Sequence, residues 1–264
     1  FIVEAMDQTR GWFYTLTVLS TALHNKPAFK NCICTGLLMA EGGQKLSKRL
    51  KNYPDPNEVL DNIGSDALRW FLVSSPVLKG GNLAVDKEGK EIAKAARVAQ
   101  IPLWNAFYFF TLYANAEGYK AKEISSSAEA IDNYILSKLK RLRDVVKQGL
   151  ESYDVSMATG EVASFMEILN NWYIRRTRDR FWEGDAQAFD TLYTVLVNVA
   201  KITAPLMPFV SEYIFKNLTG EESVHLTDYP ALEAIKPDEN LVEEMDFLQD
   251  LCSAGKFIRE EKNL

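Results

Sequence analysis

The chain has 264 residues, 47% of them hydrophobic and 25% charged, and a formal net charge of −6. That balance suits a folded globular protein and excludes disordered and collagen-like classes. No apolar run reaches the roughly 18 residues of a membrane-spanning helix, so no membrane partner is expected.

The charge is unevenly spread. Residues 1–182 carry 24 Lys and Arg against 20 Asp and Glu, whereas residues 183–264 carry 6 against 16. Partner binding follows local patches and not the total, so a basic body with an acidic tail leaves an RNA partner open. Cys32, Cys34 and Cys252 form no metal-ligand spacing, and the chain has only two histidines, His24 and His225. Reduced thiols are expected, and no zinc or other metal site.

Residues 1–4 read as a buried strand. Asp7 is placed to cap a helix over about residues 8–25, stopped by Pro27. Trp12, Phe13, Leu16, Val18, Leu19 and Leu23 make that helix apolar enough to expect it buried against a sheet. A second strand follows at about 32–40. Strand, helix and strand form a βαβ unit with parallel strands. Two parallel strands make a poor sheet alone. With Phe1 and not Met as the first residue, the expectation is a piece of a longer protein.

Gly42-Gly43 then introduces Lys45-Leu46-Ser47-Lys48-Arg49-Leu50-Lys51, closed by Pro54-Asp55-Pro56. Glycines allow a sharp turn, and the cations suit a polyphosphate, although charge alone favours a solvated surface loop. Helical patterns dominate afterwards. Short helices are expected at 57–62 and 67–73, the latter capped by Ser65-Asp66, with a loop at Lys79-Gly80-Gly81-Asn82. Longer ones are expected at 88–116, 127–151, 157–182, 186–204, 209–218 and 241–258. Short connections between them describe an antiparallel bundle. On the 127–151 helix, Lys140, Arg143 and Lys147 share a face. Arg175, Arg176, Arg178 and Arg180 cluster at the end of the next. Arginine forks suit phosphates, but the same residues could pair within the bundle; Arg175 and Asp179 stand at i,i+4.

Three separated strings carry a family resemblance. Glu4-Ala5-Met6-Asp7-Gln8-Thr9-Arg10-Gly11-Trp12-Phe13 resembles the Glu-Gly-x-Asp-Gln-x-Arg-Gly-Trp-Phe string of isoleucyl-tRNA synthetases. Lys45-Leu46-Ser47-Lys48-Arg49 resembles the Lys-Met-Ser-Lys-Ser loop of class I aminoacyl-tRNA synthetases. Its extension through Pro56 is similar to the eukaryotic-type isoleucyl form. Asn171-Trp172-Tyr173-Ile174-Arg175-Arg176-Thr177-Arg178-Asp179-Arg180-Phe181-Trp182 is similar to a helix of their anticodon-binding domain.

The resemblance implies a mainly α fold: the C-terminal edge of a Rossmann-like α/β catalytic domain at 1–54, a connecting helical region at 55–125, and an α-helical bundle for the anticodon at 126–264. It implies ATP-dependent isoleucine activation and transfer to isoleucine tRNA. Lys48 and Lys45 would bind ATP, with Ser47 donating nearby. Glu4, Asp7 and Gln8 would hold the aminoacyl-adenylate, and Trp12 would wall the isoleucine pocket. Lys140, Arg143, Lys147, Arg175 and Arg178 would meet tRNA. ATP is expected with Mg2+, the location is expected to be cytoplasmic, and assembly with other synthetases is a further partner expectation.

Ala5 departs from the usual glycine, and the His-x-Gly-His signature is absent. An isolated piece is therefore expected to lack activity. Two rivals remain: a valine or leucine enzyme, against which the Asp7-to-Trp12 string speaks, and a non-catalytic helical RNA-binding or scaffold module.

Overall fold

A short parallel strand pair opens the chain in the computed structural model, which describes residues 1–262. Strand β1 (Ile2–Ala5) pairs with β2 (Cys32–Thr35), Ile2 opposite Cys32 and Ala5 opposite Thr35. Helix α1 (Trp12–His24) connects them, as the βαβ reading expects. The expected burial is not found. Only Phe13 of α1 is buried, while Tyr14, Val18, Leu19 and Leu23 stand in solvent, as does Val3 of β1.

The expected strand at 32–40 is broken in two. Strand β3 (Leu38–Ala40) pairs in parallel with β4 (Leu83–Val85) and not with β1. Gly36 marks the break. Its N–H donates to the Val77 carbonyl at 2.8 Å, and a Cβ there would sit 1.9 Å from the Gly81 oxygen. Only glycine fits so close an approach of two backbones.

Helices α2 (Pro56–Asn62), α3 (Ser65–Val73) and α4 (Lys90–Ala96) complete this region. Asp55 caps α2, its Oδ1 accepting from Asn57 N at 2.8 Å, and Pro56 takes the first helical position, where no N–H is needed. Ser65 and Asp66 lie inside α3 and not ahead of it; Gly64 is the cap residue. Asp86 Oδ1 accepts from Lys90 N and Oδ2 from Glu91 N, at 2.8 and 2.9 Å. Burial opposes its charge, but the N–H groups of Glu91, Lys90 and Glu88 outweigh that and hold the carboxyl below its ordinary value. Val59, Ala67, Val85, Ile92 and Ala96 form the local core.

The chain divides into two compact units, Phe1–Arg97 with Gly149–Thr159, and Val98–Gln148 with the residues from Gly160 onward. The second is built of helices: α5 (Gln100–Glu117), most of α6 (Ala130–Glu151), the later part of α7 (Val155–Glu167), α8 (Arg175–Trp182), α9 (Ala186–Thr203), α10 (Pro208–Thr219) and α11 (Glu239–Glu261). The expected 88–116 helix is therefore two, α4 and α5. The expected 157–182 helix is continuous but not uniform, because Ile168–Ile174 is a π-helix between α7 and α8. Such wide turns bond each N–H five residues back.

Helix α9 is the axis of the bundle, buried nearly throughout from Ala188 to Thr203. Asp185 caps it by accepting from Gln187 N at 2.8 Å. Polar side chains on α9 fasten the segment after α5: Asp190 Oδ1 accepts from Lys122 N and Thr194 Oγ1 from Ile124 N, at 3.0 and 2.9 Å. Asp246 fastens α11 to α6 by accepting from Tyr134 Oη at 2.7 Å and pairing with Lys138.

Candidate functional site

Two groups of residues stand out, one in each unit. The first lies where β1 and β3 end. Glu4 on β1 and Asp7 on the following 3-10 turn (Met6–Arg10) are exposed. The expected cap is corrected by one residue. Among the described residues Asp7 makes no capping hydrogen bond; Gln8 Oε1 accepts from Trp12 N at 2.8 Å, closing the start of α1. A Cβ on Gly11 would lie 2.7 Å from that oxygen, the free end of a side chain that could swing aside only by giving up this bond. Trp12 is 50% exposed, presenting an indole face at the head of α1.

The Gly42–Pro54 segment is a built turn and not a loose loop. Gly42 and Gly43 take φ of 73° and 77°, turning the chain back so that Ala40 N donates to the Gln44 carbonyl at 2.7 Å and Lys45 bridges Met39 of β3. Ser47 begins a single helical turn. Its carbonyl accepts from Lys51 N at 2.9 Å and its Oγ accepts from Leu50 N at 3.3 Å. Lys51 ends the turn at φ 46°, in the left-handed region. Asn52 spans the base: its Oδ1 accepts from Ser47 N at 2.9 Å, and its Nδ2 donates to the Lys45 carbonyl at 3.1 Å. Lys45, Lys48, Arg49 and Lys51 are left exposed.

The second group is on α6 and α8. Lys140, Arg143 and Lys147 do not form one solvent-facing row. The Arg143 side chain is 9% exposed, with Nη1 3.0 Å from Glu233 Oε1, and Tyr229 Oη donates to its carbonyl. The Lys140 side chain is 18% exposed and lies 3.9 Å from Asp144. Lys147 alone of the three is exposed. Asp144 on α6 and Glu233 in the segment before α11 pair with Lys140 and Arg143 and hold them off a solvent-facing row.

The arginine cluster divides in two. Arg180 Nη1 and Nη2 each donate to buried Asp132 at 2.9 Å, and Nε donates to Asp185 at 2.7 Å. Burial disfavours its charge, but the two carboxylates more than compensate and raise its pKa. Arg176 lies 3.6 Å over the Trp172 ring. Arg175 and Arg178 are exposed, and among the described residues neither makes an ion pair; the i,i+4 pair of Arg175 with Asp179 does not form. Arg175, Arg176 and Trp172 line a groove of about 1060 Å³ with Asp246, Gln249 and Lys256 of α11. Trp172 Nε1 is buried at its edge without a hydrogen-bond partner among the described residues.

A family described as the anticodon-binding domain of tRNA ligase matches residues 132–264, and one described as class I tRNA synthetases (I, L, M and V) matches residues 1–84. The chain belongs to the family of the anticodon-binding domain of tRNA ligase. Relatives named isoleucine–tRNA ligase match it end to end. That of Leifsonia xyli subsp. xyli is 49% identical over 270 residues, covering 100% of this chain and 24% of the relative. That of Mycobacterium tuberculosis strain H37Rv is 49% identical over 264 residues, covering 100% and 25%. That of Wolbachia pipientis wMel is 46% identical over 270 residues, covering 100% and 24%. The chain thus spans about a quarter of the length of these synthetases. In fold it is similar, at TM-score 0.68 and 19% identity over 91% of this chain and 29% of the other, to the LeuRS in a crystal structure of the Agrobacterium radiobacter K84 agnB2 LeuRS–tRNA–LeuAMS ternary complex. The mainly helical synthetase fold expected from the sequence is what the structure holds. Among the described residues, no helix is long and apolar enough to cross a membrane.

Sequence reasoning passes over Asn52, because a polar residue after a run of lysines reads as more loop. It sets Arg175 and Arg178 apart for tRNA but gives Arg176 and Arg180 no partner, since Cys252 and Asp132 lie tens of residues away in the chain.

Proposed function

We propose that the full-length protein is an isoleucine–tRNA ligase, and that this chain supplies its ATP loop, one edge of its adenylate site and its anticodon-binding bundle. The reading is carried by end-to-end identity of 49% to relatives of that name, joined to the exposed cations of the turn after β3.

Activation is attack of the isoleucine carboxylate on the α-phosphorus of ATP, with the bond to pyrophosphate breaking. No side-chain nucleophile is required. The demand is for positioning and for positive charge where the leaving phosphates gain negative charge. Lys48 and Lys45 meet that demand from a turn anchored to β3. Ser47 Oγ uses a lone pair on Leu50 N and keeps its proton for a phosphate oxygen. The donor set of the turn is cationic, suiting phosphate oxygens directly; Mg2+ enters on ATP as part of the substrate. Gln8 spends its carbonyl on α1, so its amide N–H groups are what it can offer the adenylate. Asp7 and Glu4 suit the ammonium and hydroxyls, and Trp12 the apolar side chain.

Residues 1–54 then form the catalytic edge, 55–125 the connection and 126–264 the tRNA-binding bundle. On the bundle, Arg175 and Arg178 are the best placed for phosphates, with Lys147 on α6. Lys140 and Arg143 would have to leave Asp144 and Glu233 to join them.

The test is amino-acid-dependent ATP–pyrophosphate exchange by the full-length protein with isoleucine, valine and leucine. Isoleucine is expected to give the highest kcat/KM. The margin over valine is limited by one methylene, of which this pair of amino acids is the standing example. Higher kcat/KM for valine or leucine overturns the assignment. Exchange with none of the three, beside intact tRNA binding, favours a non-catalytic RNA-binding module, a reading that Ala5 in place of glycine supports.

A further inference from the structure

We infer that Asn52 is a positioning residue for ATP: its side-chain amide clasps the turn that presents Lys45 and Lys48. The inference rests on the reading of that turn as the ATP loop.

The turn has two cations that must act together, and its backbone bonds alone do not hold them together. At its entrance, Lys45 is tied to β3 through the bridge to Met39. At its exit, Ser47 to Lys51 is one helical turn, closed by a single backbone bond of 2.9 Å. One isolated turn is the least stable helical unit, because several dihedrals are fixed for one hydrogen bond. Nothing in those two closures links Lys45 to Ser47. Asn52 does so with both ends of one amide. Nδ2 reaches the Lys45 carbonyl at 3.1 Å, and Oδ1 reaches Ser47 N at 2.9 Å. The second of these takes up an N–H at the head of the turn, which has no partner inside it. The first carries the fixed geometry of β3 across to the turn holding Lys48. Asn52 thus does for Lys48 what the strand does for Lys45.

The clasp explains the residue type. Asparagine alone among short side chains offers a donor and an acceptor in one plane. Aspartate could accept from Ser47 N but could only repel the Lys45 carbonyl, and it would place a negative charge beside Lys45 and Lys48. Both ends of the Asn52 amide are spent on the backbone, so its role is positioning.

The test uses the full-length protein and isoleucine-dependent ATP–pyrophosphate exchange, with Lys48→Ala as reference. Asn52→Ala and Asn52→Asp are expected to lower kcat/KM for ATP by about 30- to 100-fold, the scale of a misplaced positioning group, with KM for isoleucine held within about twofold. Asp55→Ala, which removes the cap of α2 three residues further on, is the control for general loosening. It is expected to lower the melting temperature without the split between ATP and isoleucine. Asn52 variants with wild-type ATP kinetics, or with equal losses for both substrates, overturn the inference. An Asn52 effect reproduced by Asp55→Ala overturns it also. If Lys48→Ala itself leaves exchange unchanged, the fault lies with the reading of the loop.

Discussion

Arg180 and Asp132 meet fork to fork, two hydrogen bonds of 2.9 Å joining the end of α8 to the start of α6, with the carboxylate wholly buried. Tyr173 Oη and Ser127 Oγ supply the remaining donors to Asp132, at 2.9 and 2.8 Å. A buried carboxylate so enclosed depends on its guanidinium. Arg180→Ala leaves it uncompensated and is expected to cost about 3–5 kcal/mol of stability. Arg180→Lys keeps the charge but loses the fork and should fall between. Chemical denaturation of the chain, followed by helical circular dichroism, measures both. The double variant Asp132→Asn with Arg180→Ala should cost less than the two single losses together.

Asp185 gives the same junction a dependence on pH. Burial opposes its charge, but Arg180 and the N–H groups of Gln187 and Ala188 outweigh this and hold its carboxyl below the ordinary 3.8. A carboxyl depressed in the folded state contributes stability that is present above its unfolded value and is lost as pH falls through the folded one. Stability is therefore expected to decline below about pH 4. Asp185→Asn should flatten that decline while lowering stability at neutral pH. An unchanged acid slope would mean the carboxylate is not linked to folding.

Lys48 stands in solvent, so its removal should leave folding intact. Lys48→Ala in the full-length protein is expected to reduce ATP–pyrophosphate exchange by about 10²–10³-fold, the usual scale for one lost charge-stabilising donor. The melting temperature should not move.

Arg175 and Arg178 are expected to weaken tRNA binding when changed to Gln, and the slope of log affinity against log salt should fall by roughly one per phosphate released. Arg143→Gln makes the contrast. Its ties to Glu233 and Asp144 predict a loss of stability with little change in the salt slope. Filter binding at several salt concentrations separates the two.

Gly36→Ala sets a methyl group 1.9 Å from the Gly81 oxygen, so one of the two backbone segments must move. The expected cost is about 2 kcal/mol or more, by overpacking against backbone. Thermal unfolding of the chain measures it.

Helix positions were legible where a proline announces them locally: Pro27 after α1, Pro56 at the start of α2 and Pro208 at the start of α10. The strands were less so. The break at Gly36 is imposed by Gly81, 45 residues along, and β4 is only three residues long beside a polar loop. The candidate site divides in the same way. Its cations can be read in order from the chain, since charge and exposure go together on a glycine-bounded turn. The roles of Arg176 and Arg180 cannot, because an arginine run looks alike whether its forks meet solvent, an indole or a buried carboxylate. Only the tertiary placement of Trp172 and Asp132 decides.

The π-helix at Ile168–Ile174 makes chain length itself a constrained quantity. An α-helix advances about 100° per residue. Removing one residue from the wide turns would swing all that follows by about that angle, taking Phe181 out of the core and Arg180 away from Asp132 together. Exchanging a side chain within the stretch disturbs one neighbour; deleting one resets every phase after it. The groove face with Arg175 and Trp172 and the buried face with Tyr173 and Arg180 are thus held in step by a residue count.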